Sequence, residues 1–192
     1  TTAHIAPLLK VSARHAYYEA IKHIVAKGDK KILWLEQEQS PLSNERYNTL
    51  RDFAEMYKLE ISRIELCVYN TESILKDEGM KKISDACEKH LETIAEHDVV
   101  FCYNDILACG LFKAALKNGY DIPRSFSIIG FDNLSSRFTS PRLSTIDHKM
   151  VEMGAKAVNL IMQMSSSGNV NMDEWRSTTE HIEGEFILGE SL

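Results

Sequence analysis

Short, almost continuously apolar runs alternate along this chain with longer segments whose apolar residues recur at helical spacing, and few folds can satisfy that alternation. The runs are 31–36 (KILWLE), 61–69, 98–103 (DVVFCY), 126–131 (FSIIGF) and 184–188 (GEFIL). Between them, 12–27, 43–57, 71–90, 105–117 and 150–164 read as helices, the first stopped by Gly28 and the fourth by Asn118-Gly119. A strand that is apolar on both faces must be covered on both faces. Alternation of such strands with helices therefore predicts an α/β fold, a Rossmann-like parallel sheet with helices on either side. Ligands of such sheets bind beyond the carboxyl ends of the strands. That rule selects 36–46, Asn104-Asp105 and Asp132-Asn133.

Two helices fit this sheet poorly. Segment 12–27 precedes the first strand, and 150–164 follows a loop that leaves the sheet; both are amphipathic. A second lobe, largely missing from the chain, is the simplest cover for them. The stripe Met150, Met153, Ala157, Ile161 and Met164 is expected to be core packing. Ser165 to Gly168 reads as a flexible connector inside a loop over 165–178.

Each candidate site has a functional and a structural reading. Asp132, at the mouth of a strand, can accept hydrogen bonds from adjacent hydroxyls of a sugar or nucleoside, or form a turn with Asn133. Asn104 and Asp105 stand where a strand becomes a helix, and both residue types cap helices. In the functional reading Asn104 offers a donor and an acceptor to a ligand while Asp105 caps. Arg46 presents a planar fork of donors suited to carboxylates, phosphates or paired hydroxyls, or is a solvated helix arginine.

Other chemistries find no support. Catalytic templates such as G-x-S-x-G, the phosphate-binding G-x-x-x-x-G-K-[ST] loop, G-x-G-x-x-G and H-E-x-x-H are missing, so no enzymatic activity and no cofactor are expected. The four cysteines (Cys67, Cys87, Cys102, Cys109) form no Cys-x-x-Cys pair and read as reduced core thiols; the seven histidines are dispersed, without a zinc pattern. The net charge is −6 with scattered lysines and arginines, unlike a surface that displaces cations from DNA phosphates. No apolar run is long enough for a membrane span, and residues 1–10 lack the features of a secretory signal, so a cytoplasmic location is expected. The chain starts at Thr1 rather than Met, as a fragment or processed form would.

Residues 103–146, YNDILACGLFKAALKNGYDIPRSFSIIGFDNLSSRFTSPRLSTI, resemble a well-marked stretch of the lactose/galactose-repressor (LacI/GalR) family. The matching pieces are Asn104-Asp105, Gly119, Ile122-Pro123, Gly130-Phe131-Asp132 and the turn Pro141-Arg142-Leu143-Ser144-Thr145-Ile146. Helix 149–164 with Met153-Gly154, the closing FILGES (186–191), the entry segment 23–36 and, more loosely, Ser43 to Arg46 are similar to family elements too.

The resemblance implies a type I periplasmic-binding-protein-like fold of two lobes joined by three crossovers. It implies a sugar or sugar-phosphate effector in the cleft, a homodimer, and operator DNA bound through a head domain absent here. It assigns effector contacts to Arg46, Asn104, Asp132 and His148. By this reading 1–11 is a leader or crossover, 12–29 a helix of the partly missing amino-terminal lobe, and 30–146 the carboxyl-terminal lobe. Segment 147–178 then returns to the first lobe, and 179–192 supplies the final strand of the second. The chain departs from the family pattern at Arg46-Tyr47-Asn48-Thr49, at Gly28-Asp29 and at His15. A sugar-binding protein of an ABC transporter and a Rossmann-like enzyme are the alternative readings.

Overall fold

The computed structural model describes residues 7–68, 77–134, 139–166 and 172–192. In chain order the elements are β1 (Leu8–Ser12), α1 (Arg14–Lys27), β2 (Lys31–Glu36), α2 (Pro41–Met56) and β3 (Glu60–Glu65). Next come α3 (Asp77–Lys89), α4 (Leu91–Ile94), β4 (Val99–Cys102), α5 (Asp105–Lys117) and β5 (Ser127–Phe131). The last are β6 (Ser144–Asp147), α6 (Met150–Ser166), α7 (Met172–Ser177), β7 (Thr179–Glu183) and β8 (Glu185–Ile187).

A six-stranded sheet runs β3-β2-β4-β5-β6-β8, parallel except for β8, which lies antiparallel to β6. The strand order turns at β2: β3 lies on one side of it and β4 on the other, which leaves a crevice beyond their carboxyl ends. Strand alternation explains the unbroken apolar runs. Ile32, Trp34, Val99, Phe101, Ile129 and Phe131 pack against α1 and α2, while Leu33, Leu35, Val100, Cys102 and Ile128 pack against α3 and α5.

β1 and β7 pair in parallel as a separate two-stranded sheet, whose ladder ends with Gly184 N–H donating to Ser12 O (2.8 Å); Gly184 then leads directly from β7 into β8 of the large sheet. Among the described residues no helix is long and apolar enough to cross a membrane.

Several expectations are corrected. Segment 12–29 does not wait for a missing lobe: Ala16, Tyr17, Ala20, Ile21 and Ile24 of α1 are buried in the core of the large sheet. The helix ends where Gly28, at φ +92°, returns its N–H to Ile24 O and Val25 O, a left-handed turn that glycine adopts without a Cβ penalty. The described part of the Met-rich stripe of α6 is not core in this chain; the side chain of Met164 lies outside the described residues. Met150 and Ile161 are about half exposed, as are neighbouring Val158 and Met162, and Met153 faces a cleft.

Strand β3 stops at Glu65, two residues before Cys67, which is exposed at φ +51° rather than buried. Burial holds the other thiols protonated, with Cys87 and Cys109 each pushed up to about 12 and Cys102 also raised. The connector expected over 165–178 holds a helix, α7, whose Trp175 indole donates to Leu160 O at 3.1 Å; 167–171 lie outside the described residues, as do the first residues of the helix expected over 71–90.

Candidate functional site

A cleft of about 750 Å³ opens between the carboxyl ends of the large sheet and the small β1/β7 sheet. Helix α2 supplies one wall. Ser40 caps it, accepting from Ser43 N–H at 3.0 Å, and Pro41 takes the first-turn position where a missing N–H is harmless. The helix therefore starts earlier than apolar spacing suggests, and it aligns Leu42, Glu45, Arg46 and Thr49 along the cleft at helical intervals.

A buried ion pair anchors this helix. The Glu36 carboxylate, fully buried at the end of β2, accepts from Arg63 Nε, from Arg63 Nη2 (2.9 Å), from the Trp34 indole (3.2 Å) and from Ser43 Oγ. Arg63 also donates to Asn44 Oδ1 at 2.8 Å and lies over the Tyr47 ring at 4.7 Å. Ser43, Asn44 and Tyr47 bracket Arg46 on α2, so this pair holds the helix turn that presents it.

The Arg46 guanidinium sits between two aromatic rings, 3.6 Å from the centre of Phe131 and 4.8 Å from that of Tyr103, and donates to Tyr103 O at 2.8 Å. The two rings cover part of the half-buried guanidinium while it still borders the cleft. His148 stacks on Phe131 with centres 5.6 Å apart, and its Nδ1 is 3.1 Å from Asp132 Oδ1, off the line of a hydrogen bond. Both are about four-fifths buried.

Asp132 and Asn133 adopt positive φ (+102° and +57°), a costly backbone for side-chain-bearing residues and one often held at ligand clamps. The turn is secured by Asp132 N–H to Ile146 O (2.8 Å) and by Asn133 Nδ2 to Asp147 Oδ2 (3.2 Å). Tyr17, on α1, completes the group. Burial raises its phenol well above the usual value, Arg46 opposes that shift and Asp132 reinforces it, so the hydroxyl stays neutral between a cation and an anion.

The structure therefore gathers Arg46, His148 and Asp132, and it divides the Asn104-Asp105 pair differently from expectation. Asn104, not Asp105, caps α5, its Oδ1 accepting from Leu107 N–H at 2.9 Å. Asp105 is fully buried and accepts from Thr145 Oγ1 (2.6 Å) and from Leu134 N–H, tying the start of α5 to β6 and to the loop after β5. The reason is geometric: the residue just before the helix has extended backbone that brings its side chain over the exposed amides, whereas the next one points inward.

Asn104 does not line the cleft, and Asp132 meets it through His148. An Asn104→Ala variant is expected to lose about 1 kcal/mol and about 2–4 °C in melting temperature, measurable by calorimetry; an unchanged melting temperature would show that the cap is dispensable.

Tyr17 was not legible as a site residue, since a tyrosine on the apolar stripe of a helix reads as core. Among the described residues no group of His, Cys, Asp and Glu is arranged to hold a metal ion.

A parallel sheet whose strand ends face a second, smaller sheet across a cleft of apolar walls with a few polar groups is the architecture of a small-molecule-binding α/β domain. Residues 21–191 match the family described as the periplasmic binding protein-like domain, and the chain belongs to that family. The HTH-type transcriptional repressor PurR of Mannheimia succiniciproducens is 32% identical over 180 residues, covering 91% of this chain and 49% of the repressor. The regulator NtdR of the NTD biosynthesis operon in Bacillus subtilis is 40% identical over 75 residues, 38% of this chain and 22% of its own length.

Among solved structures, a LacI family regulator from Arthrobacter sp. FB24 in complex with lactose superposes with a TM-score of 0.73 at 21% identity, covering 95% of this chain and 64% of that one. A periplasmic binding protein/LacI regulator from Alkaliphilus metalliredigens complexed with D-xylulofuranose gives 0.71 at 25% identity, with 95% and 65% covered. The chain thus has the effector-domain fold of LacI-type regulators. It spans about half the length of the curated relatives it matches over most of its own length.

Proposed function

We propose that this chain is the effector-sensing part of a bacterial transcription regulator. It holds a carbohydrate-class small molecule in the cleft between its two sheets and does not transform it. The observation that carries the reading is the convergence of Arg46, Tyr17 and the His148–Asp132 pair on one aromatic platform, Phe131. A fork of donors, a neutral hydroxyl and an imidazole beside a carboxylate suit a polyhydroxylated ligand, and aromatic faces suit its C–H surfaces. The repressor names of the relatives and the sugars in the neighbouring structures support it.

In this reading the six-stranded sheet is the carboxyl-terminal lobe, and β1, β7 and α6 belong to the other. The ligand favours one arrangement of the lobes by its differential affinity. Coupling of about 1–3 kcal/mol then changes operator affinity several-fold to a hundredfold through a separate DNA-binding head. A cytoplasmic homodimer, with symmetry matching a palindromic operator, follows from the same reading.

Screening the full-length protein by thermal shift against pentoses, hexoses, nucleosides and their phosphates should identify a stabilising ligand. Arg46→Met should then weaken that ligand about tenfold or more in calorimetry, because a hydrogen bond to a charged donor is lost. Asp132→Asn should weaken it too while the far-ultraviolet spectrum stays unchanged. Wild-type affinity in both variants would place the ligand elsewhere.

A further inference from the structure

We infer that the molecule taken by this cleft is an anion, a carbohydrate-class compound bearing a phosphate or carboxylate group. The inference rests on the reading of the cleft as an effector site and adds the charge of its occupant. The chain as a whole carries a net charge of −6, yet the cleft runs the other way. Its walls carry the cations Lys10, Arg14 and Arg46 and the imidazoles of His148 and His181, whereas Glu45 is the carboxylate among the lining residues. A cleft whose sign opposes that of its protein concentrates ligands of the opposite charge, because its low-dielectric walls focus the field.

Which of these charges is already compensated decides the argument. Arg14 has a carboxylate, Asp52, at 3.7 Å, and both are about half exposed, so water and salt screen that pair. Asp132 lies 3.1 Å from His148 Nδ1 and is not among the residues that line the cleft. Arg46 is different: its partners are a backbone carbonyl and two ring faces, and among the described residues no carboxylate lies within ion-pair distance of it. Lys10 lies on β1, on the opposite wall; it is solvent-exposed in the open cleft, and among the described residues it too makes no ion pair, so its charge is felt only by an occupant that covers it.

A partly buried guanidinium without a counter-charge and an ammonium on the facing wall make a two-sided site for an acidic group. The fork of Arg46 can take two oxygens of a phosphate or carboxylate at once, and Lys10 acts as a point charge. A neutral sugar would fill the same space and leave both cations without an anionic partner.

The test compares matched ligands on the full-length protein by thermal shift and calorimetry: glucose with glucose 6-phosphate and glucuronate, ribose with ribose 5-phosphate, and inorganic phosphate alone. The expected result is a stabilising shift with a phosphorylated or carboxylated member, weakened by added salt, and little with its neutral counterpart. The two acidic arms separate phosphate from carboxylate. Lys10→Gln should weaken the acidic ligand about tenfold and leave the melting temperature of the free protein unchanged.

Binding of a neutral sugar in preference to its acidic partner would overturn the charge assignment while leaving the effector reading intact. A shift by inorganic phosphate equal to that of the sugar phosphates would overturn it as well, by reducing the cleft to a bare anion site. Unchanged affinity in Lys10→Gln would remove the two-sided site. Silence of every compound, neutral and acidic, would count against the effector reading itself and take this inference with it.

Discussion

An Arg63→Met variant is expected to be about 3 kcal/mol less stable than the parent chain, with a melting temperature lower by about 6–12 °C. The size follows from what remains behind. Glu36 is fully buried, and among the described residues Arg63 is the one cation that hydrogen-bonds to it. Without it a carboxylate is left in the core with the Trp34 indole and the Ser43 hydroxyl as its remaining neutral partners. Breaking one side of a buried pair costs several kcal/mol for this reason, and the one-fifth exposure of Arg63 places the estimate at the lower end.

Arg63→Lys should recover little, since an ammonium cannot reproduce a fork that meets Glu36 through two nitrogens and Asn44 through one of them. The double variant Glu36→Leu, Arg63→Met should recover much of the loss, because a matched apolar pair has no desolvation cost to offset. A urea titration showing the single variant within about 0.5 kcal/mol of the parent would mean that the pair is ornamental. Because the same pair grips Ser43, Asn44 and Tyr47, loosening it should also displace Arg46 and weaken the ligand.

Gly130→Ala is expected to be nearly as damaging, at about 3 kcal/mol. A methyl group there would overlap Asp105 Oδ1 and approach its Cγ to 3.1 Å and its Cα to 3.2 Å. The carboxylate cannot swing aside freely, since Thr145 Oγ1 and Leu134 N–H hold its two oxygens. Relief of the overlap would leave a fully buried acid short of hydrogen bonds, or would push β5 away from α5.

A double-mutant cycle tests the cause. In an Asp105→Ala background the same glycine substitution should cost far less, because the atom it strikes is gone. Equal costs in both backgrounds would show that strand packing, not the carboxylate, forbids a side chain. The turn Asp132-Asn133 follows Gly130 closely, so on the proposed reading of the cleft Gly130→Ala should also impair effector binding in whatever fraction folds.

The local elements were largely readable along the chain, and the errors have physical causes. β6 escaped notice because Ser144 and Thr145 do not look like strand residues. They are buried only because distant partners satisfy them: Ser144 Oγ accepts from Gly189 N–H at 3.1 Å and Thr145 donates to Asp105. β1 and β7 pair with each other across most of the chain, and neither is apolar enough to announce itself.

The resemblance to the repressor family pointed to Asp132, which follows the end of β5, and to Arg46, which lies in the second turn of α2, but not to the inversion of roles between Asn104 and Asp105. Composition could not reveal a basic cleft either, since it averages over the whole surface.

Spacing and residue type along the chain determined which segments become strands and helices, the α/β class, and the end of the sheet at which the cleft opens. Those properties depend on the period of buried positions, which any one segment displays by itself. Tertiary structure alone decided which side chains meet there. Lys10, Tyr17, Arg46, Phe131, His148 and His181 come from six different places in the chain and have no local relation. Only the closure of the parallel sheet, with α1 folded onto it and β7 returned to β1, brings their charges and rings within reach of one small molecule.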